Sequence, residues 1–398
     1  MRAAKVSLTR RRLANLLLLA ATPLMPVRAA STTQPKAKPQ STPTINVKDF
    51  GAFGNGKLPD VQQVRAAFEK AAQHTAGAVV LFPPGEYFLG TADEAYLAEA
   101  KRLQNVRVIG ERATITCRSV GGASSMFIFE GCRNVTIEGL TFRDHGLIRG
   151  DIGTRGAAAI RLANDEGTPC EDIEIRDCTF DSVMSAFVCR ETKKNVRSRG
   201  IKMSNLAINR SYYGLSFQHN GDDVVARGIR CSDVKRSYFP YGIDKHDIEL
   251  EATSNATGFT DALIKCYQRD TSNIHLKLKS RGKRGGDCIV NFDHFNEVPN
   301  LSLRNIRVEL DVDDVDCQLD SAIMFRVHDR NNNVERQSSR RWEAISIDGN
   351  VRICEKTRLL EFRGASRIPG TIIIGSRLAR HPKLPKSFPG FSVQLTAS

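Results

Sequence analysis

The sequence predicts an all-β fold, a solenoid of short stacked coils closed at its N-terminal end by one helix. Three observations predict it. One pattern, a residue of type Asn, Asp, Gly or Ala followed by apolar-polar-apolar, recurs at Asn105, Asn134, Asp172, Gly200, Gly228, Asp247, Asn273, Asn300 and Ala344. A second strand-like run, opened by a small residue, falls between these copies at Ala159, Ala186, Gly214, Gly242, Ala262, Cys288 and Ala322. Helical periodicity is nearly absent after residue 104. Period-two alternation marks strands, and clusters of Gly, Asn and Asp mark turns. A unit this short cannot bury its own apolar face, so the copies must stack. A sandwich needs about seven to nine strands, roughly half of what this chain supplies. The unequal spacing of the copies puts longer loops on one side of the rod, where a solenoid usually binds.

The chain opens with Arg2, Lys5, Arg10, Arg11 and Arg12, an apolar stretch from Leu13 to Met25, and then Val27-Arg28-Ala29. Small residues at the −3 and −1 positions predict a signal peptide over 1–29, cleaved after Ala29. Thr9-Arg10-Arg11-Arg12-Leu13 resembles a twin-arginine signal; a general secretory leader with a basic start is the alternative. Either sends the protein to the periplasm or outside the cell. Residues 30–44, rich in Ser, Thr and Pro, read as a flexible linker, and 45–398 as the solenoid domain. After the leader no apolar run approaches the roughly 18 to 20 residues of a membrane helix. Asp60-Val-Gln-Gln63 has the form of a capping box. Val61, Val64, Phe68 and Ala71 follow at helical spacing and Gly77 ends the pattern, so 60–76 are expected to form the capping α-helix.

The net charge is +14, and the first 29 residues hold six basic side chains and no acid. That leaves 14 − 6 = +8 for 30–398, a surface suited to an anionic partner. Charge alone does not choose among an acidic polysaccharide or oligosaccharide, a nucleic acid and a lipid headgroup, although export removes the usual nucleic-acid target. Of the ten cysteines, Cys117, Cys178, Cys189, Cys231, Cys266, Cys288 and Cys354 fall in strand-like runs, and no Cys-x-x-Cys occurs. Stacked, buried free thiols are expected, with a Cys170–Cys178 pair as the open exception.

Val47-Lys48-Asp49-Phe50-Gly51-Ala52-Phe53-Gly54-Asn55-Gly56, the helix, and Ala78-Val79-Val80-Leu81-Phe82-Pro83-Pro84-Gly85-Glu86-Tyr87 resemble the opening of pectate-lyase-superfamily proteins. The resemblance covers about 45–90 and is similar to the openings of rhamnogalacturonases and epimerases. It implies a single-stranded right-handed parallel β-helix, export, and glycan chemistry by lyase, epimerase or glycosidase. Gly51 to Lys57 also satisfies most of a phosphate-binding loop. Leu58 stands where the metal-binding Ser or Thr belongs, so no nucleotide site is expected.

Polar pairs follow the second strand runs at a nearly common offset: Asn164-Asp165, Arg190-Glu191, Gln218-His219, Lys245-His246, Gln268-Arg269, Asp293-His294 and His328-Asp329. Stacked coils lie about 4.8 Å apart, so such positions form a ladder. Arg190, Gln218, His219, Arg269, Asp293 and His294 are the expected substrate-binding residues, able to hydrogen-bond sugars and pair with their carboxylates. Tyr241-Gly242-Ile243-Asp244-Lys245-His246-Asp247 resembles a segment of alginate C5-epimerases, with Lys245 in place of Pro. The resemblance implies that Asp244 and His246 are catalytic. Abstracting a proton beside a carboxylate needs a base and a cation. His246 or Tyr241 is the expected base or acid, and Lys245 or Arg269 the clamp. Asn220-Gly221-Asp222-Asp223 offers a second chemistry, since paired carboxylates can hydrolyse a glycosidic bond; Asp222 and Asp223 are the alternative catalytic pair. Arg143, Asp144 and His145 with Arg149, Asp151 and Arg155 form a third cluster. Ca²⁺ is compatible with such carboxylates, although no string fixes a metal or cofactor. The expected function is thus an exported enzyme acting on a uronate-containing polysaccharide by β-elimination or C5 epimerisation. The alternatives are a polygalacturonase-like hydrolase and a non-catalytic glycan-binding or envelope solenoid.

Overall fold

The computed structural model describes residues 42–396 apart from 93–95, 121–122, 147–155, 165, 192–194, 256–257, 284, 296–299, 317, 329–340, 365–369 and 389–391. From Thr42 onward the chain groups as one compact unit. The expected signal peptide and most of the expected linker lie outside the described residues, and the strand Thr44–Asn46 already begins inside the stretch expected to be linker. Among the described residues the strands form two sheets of 17 and 10 strands, and successive coils pair in parallel. One coil runs Tyr213–Gln218 in the second sheet and Asp222–Ser232 in the first. The next runs Arg236–Tyr241 and Asp244–Ser254.

Alternation decides what faces inward. In Asp244–Ser254, the side chains of His246, Ile248, Leu250 and Ala252 are buried between more exposed neighbours. Parallel register then stacks like on like. One interior column reads Val106, Val135, Ile173, Ile201, Val224, His246, Ile274, Ile306, Ile345 and Ile372. The residue just before each of the first nine enters its strand in the left-handed region: Asn105, Asn134, Asp172, Gly200, Asp223, Lys245, Asn273, Asn305 and Ala344 all have φ between 51° and 68°. Asn, Asp and Gly are the residues that tolerate this conformation best. Neighbouring members bond along the rod, Asn134 Nδ2 to Asn105 Oδ1 at 2.7 Å and Asn305 Nδ2 to Asn273 Oδ1 at 3.1 Å.

This row corrects three expected strand entries. Asp223, Lys245 and Asn305 head their strands, not Gly228, Asp247 and Asn300. Gly228 belongs to a second row with Asn205, against whose side chain it packs. The reason is local: Val225 is 41% exposed and His246 is 1% exposed. Each inverts the polarity that its position should carry, which hides the alternation. The 19-residue interval from Gly228 to Asp247 is therefore not the length of a coil.

The N-terminal helix spans Val61–Ala72, shorter than expected. Asp60 does not cap it. Its carboxylate accepts from the backbone N–H of Phe53 at 2.6 Å and Gly54 at 3.1 Å, closing the preceding turn instead. The helix buries Val64, Ala67, Phe68 and Ala71. The Phe68 ring meets Phe82, Phe127 and Phe129 at centroid distances of 6.5, 5.4 and 6.1 Å. If the helix closes the rod, Phe68→Ala should lower unfolding stability by about 3–5 kcal/mol, read from denaturant midpoints. A loss near zero would make it peripheral.

All nine described cysteines are free, eight of them buried, so the Cys170–Cys178 pair is not formed; Cys317 lies outside the described residues. Among the described residues no helix is long and apolar enough to cross a membrane.

Candidate active site

The turn from the second sheet into the first gathers several of the candidate residues. After Gln218 the chain passes His219 (φ 57°), Asn220 and Gly221 (φ 91°) before Asp222 starts the next strand. Asn220 is fully buried. Its Oδ1 accepts from Ser198 N at 2.5 Å and Gly221 N at 2.9 Å, and its Nδ2 donates to the Arg190 carbonyl at 3.3 Å. Arg197 Nη2 donates to Asp222 Oδ1 at 2.5 Å and to the Gly242 carbonyl at 2.9 Å. The same Asp222 oxygen accepts from Asp244 N at 2.9 Å. One coil on, Asp244 Oδ1 accepts from Ser272 Oγ at 2.7 Å and Asn273 Nδ2 at 2.6 Å.

Two open clefts of about 500 and 510 Å³ meet here and share Arg197 and Asp244. Asp222, Asp223, Lys245 and Arg199 line the first; Arg269, Asp270, Ser272 and Arg304 line the second. The two carboxyls are shifted in opposite directions. Burial raises the Asp222 carboxyl above the usual 3.8, outweighing the pull of Arg197. Burial also acts upward on Asp244, but hydrogen bonds from Ser272 and Asn273 outweigh it and leave that carboxyl below the usual value. Hydrogen bonds to the charged form favour it, and desolvation disfavours it.

The other expected site residues divide. Lys245 is exposed on the cleft and pairs with Asp223 at 3.4 Å. Tyr241 is half-buried, its hydroxyl donates to Gln218 Oε1 at 2.9 Å, and burial pushes the phenol up. Gln218 Nε2 in turn donates to Ser216 Oγ. His219 lies edge-on to Tyr241 at 4.8 Å, and neither ring nitrogen has a hydrogen-bond partner. Burial, helped by Arg269, lowers its pKa to about 4. Arg269 reaches the cleft but is engaged by Glu191 Oε1 at 2.8 Å and Asn195 Oδ1 at 3.3 Å. Arg190 is exposed at the end of its strand.

Three expected residues are corrected. His246 is 1% exposed and points into the core, with Nδ1 on Tyr238 Oη at 2.8 Å and Nε2 on the Gly221 carbonyl at 2.6 Å. Burial lowers its pKa to about 4. It cannot meet substrate in the cleft, because it opens the inward-facing set His246, Ile248, Leu250 and Ala252, whereas Asp244 lies before the left-handed Lys245 (φ 56°) that breaks the alternation. Asp293 and His294 are buried one sheet position apart and line neither cleft; His294 Nε2 bonds the Arg341 carbonyl at 3.2 Å. The common offset also fails for Lys245-His246: Tyr241, not Lys245, stands beside Gln218 in the second sheet. Asp144 is buried, holding Ser119, Gly146 and Ala157 through its carboxylate. Asp165, Arg149, Asp151, Arg155 and Asp329 lie outside the described residues. Sequence reasoning missed Arg197 and Ser272, which no motif marks. Asn273 was visible as a strand entry, though not as a ligand of Asp244. Among the described residues no group of three or more His, Cys, Asp or Glu side chains is arranged to hold a metal ion.

No family model matches the chain. It is 28% identical over 226 residues to the mannuronan C5-epimerase AlgE6 of Azotobacter vinelandii, covering 53% of this chain and 23% of that protein. It is 28% identical over 128 residues to the polygalacturonase ADPG1 of Arabidopsis thaliana, covering 32% and 28%. The chain thus spans less than a third of the length of either relative. Its fold matches the enzymatically active domain of the bacteriophage CBA120 tailspike protein 2 with a TM-score of 0.54 at 9% identity, over 89% of this chain and 52% of that one. The chain has the right-handed parallel β-helix fold. Its curated relatives include an epimerase and a polygalacturonase, so the fold does not by itself fix a reaction.

Proposed function

We propose that this β-helix protein hydrolyses an acidic polysaccharide, with Asp222 as the proton donor to the leaving oxygen and Asp244 as the ionised partner. One observation carries the reading: two carboxylates from adjacent coils share a cleft, and their surroundings push the protonation of one up and of the other down. Pairs of carboxyls pushed apart in this way are how acid and base roles are divided in glycoside hydrolysis. Arg197, Arg199, Arg269, Arg304 and Lys245 around the clefts are each paired with a carboxylate of the protein, so the anionic character of the substrate rests on the net charge of +14 carried by the chain.

A second reading is C5 epimerisation or β-elimination, with Asp244, Tyr241 and Lys245 at the reacting carbon. The string from Tyr241 to Asp247 and the likeness to a mannuronan C5-epimerase favour it. His246, turned inward, is no part of that set. A non-catalytic solenoid is the remaining reading. Incubating the purified protein with acidic and neutral polysaccharides separates them. Hydrolysis yields new reducing ends without ultraviolet absorbance. An absorbing unsaturated product would mean a lyase, and altered uronate stereochemistry at constant chain length an epimerase. Binding with no product would leave the third.

Export is part of the proposal. Protein recovered outside the cytoplasm should begin at Ala30 on N-terminal sequencing, and Arg10 and Arg11 to Lys should block export only on the twin-arginine route.

A further inference from the structure

His246 interrupts a column whose other members from Val106 to Ile372 are all Val or Ile. A polar ring in such a column costs stability unless both nitrogens are satisfied, and here both are. The Gly221 carbonyl can only accept, so Nε2 carries the ring proton. Nδ1 then holds the lone pair, and the Tyr238 hydroxyl donates to it. The result is a directed chain from Tyr238 through a neutral imidazole to the Gly221 carbonyl, over 2.8 and 2.6 Å. The ring is wedged edge-on against Phe217 at 4.6 Å.

The Gly221 carbonyl belongs to the peptide that leads directly into Asp222. A Cβ at Gly221 would lie 2.7 Å from the Phe217 ring and 3.3 Å from Cys189 Sγ, so this turn is pressed onto the core. Asn220 pins the opposite side of the same turn to Ser198. We infer that His246 is a positioning residue: through the Gly221 carbonyl it holds the Gly221–Asp222 peptide against the core and keeps the Asp222 carboxyl in its desolvated place. The inference rests on the reading of Asp222 as the acid. The charged groups facing Asp222 are Arg197, Asp244 and Asp223; those acting on His246 are Arg197 and Asp244, with Tyr238 in contact.

The test titrates the Asp222 carboxyl by carbon-detected NMR in the unliganded protein. In His246→Ile, which restores the aliphatic column, the Asp222 titration should fall toward 3.8 as water reaches the loosened turn. Ile274→Ala, one coil along the same column, should destabilise the rod without moving it. In the wild-type protein the His246 ring should show its proton on Nε2 and stay neutral down to about pH 4. On an identified substrate, kcat should fall about ten- to a hundredfold in His246→Ile with KM little changed. An unmoved Asp222 titration, or a proton on Nδ1, overturns the inference. If His246→Ile does not fold, Tyr238→Phe carries the test and must shift Asp222 in the same direction. If Asp222→Asn stays fully active while the titration shift appears, the functional reading falls and the positioning role stands.

Discussion

Asp222→Asn is expected to lower turnover by about two to four orders of magnitude while leaving the fold and polysaccharide binding intact. An amide is nearly isosteric with the acid, so Arg197 and Asp244 N keep an acceptor, but no proton can be delivered to the leaving oxygen. The pH dependence should carry the signature of the two environments. A proton donor must be protonated, so activity is lost as pH rises through the Asp222 pKa, which burial places above 3.8. The partner must be ionised, so activity is lost as pH falls through the Asp244 pKa, which Ser272 and Asn273 hold below 3.8. A bell in the acidic range results. Ser272→Ala should move its acid limb upward, because one hydrogen bond to the charged form is removed. Full activity of both Asp222→Asn and Asp244→Asn would sink this site and return attention to Asp223, Tyr241 and Lys245.

Gly282→Ala is expected to cost about 3 kcal/mol or more, seen as a lower denaturant midpoint at constant slope. Gly282 pairs with Ser254 of the previous coil and has φ 129°. A Cβ there would lie 2.0 Å from the Ser254 carbonyl oxygen and 2.9 Å from its backbone N and C. Retreat is limited, because the preceding residues Thr253 and Arg281 are paired to the next coils on either side. Gly51→Ala is the control: its φ is 86°, but nothing lies within 4 Å of the added carbon. It should cost only about 1–2 kcal/mol, the penalty of a left-handed L-residue. Equal losses in both would mean that backbone angle, not coil-to-coil contact, sets the cost.

The fold was legible because it is repetitive and local. Each strand announces itself by alternation, each entry by a residue that tolerates left-handed backbone, and stacking follows from the lack of any other way to bury the apolar face. Register was harder. Val225 exposed and His246 buried each look like the wrong residue for their position, and the entries at Asp223 and Lys245 were misplaced as a result.

The site divides in the same way. Sequence alone determined that carboxylates and cations gather at the turns around 218–223 and 241–247, and that the partner should be anionic. Tertiary structure decided which side chains share the cleft. Asp222 and Asp244 meet because parallel register stacks one turn on the next, a contact across 22 residues that no local pattern encodes. His246 leaves the site because the left-handed Lys245 between it and Asp244 resets the alternation, so that His246 opens the inward-facing set while Asp244 stays on the groove. Arg269 lies 78 residues from Glu191, yet it is neutralised by that residue's carboxylate before any substrate arrives. Composition and motif specify which groups the chain carries; stacking specifies which of them touch, because coil neighbours are separated in sequence by a full turn of variable length.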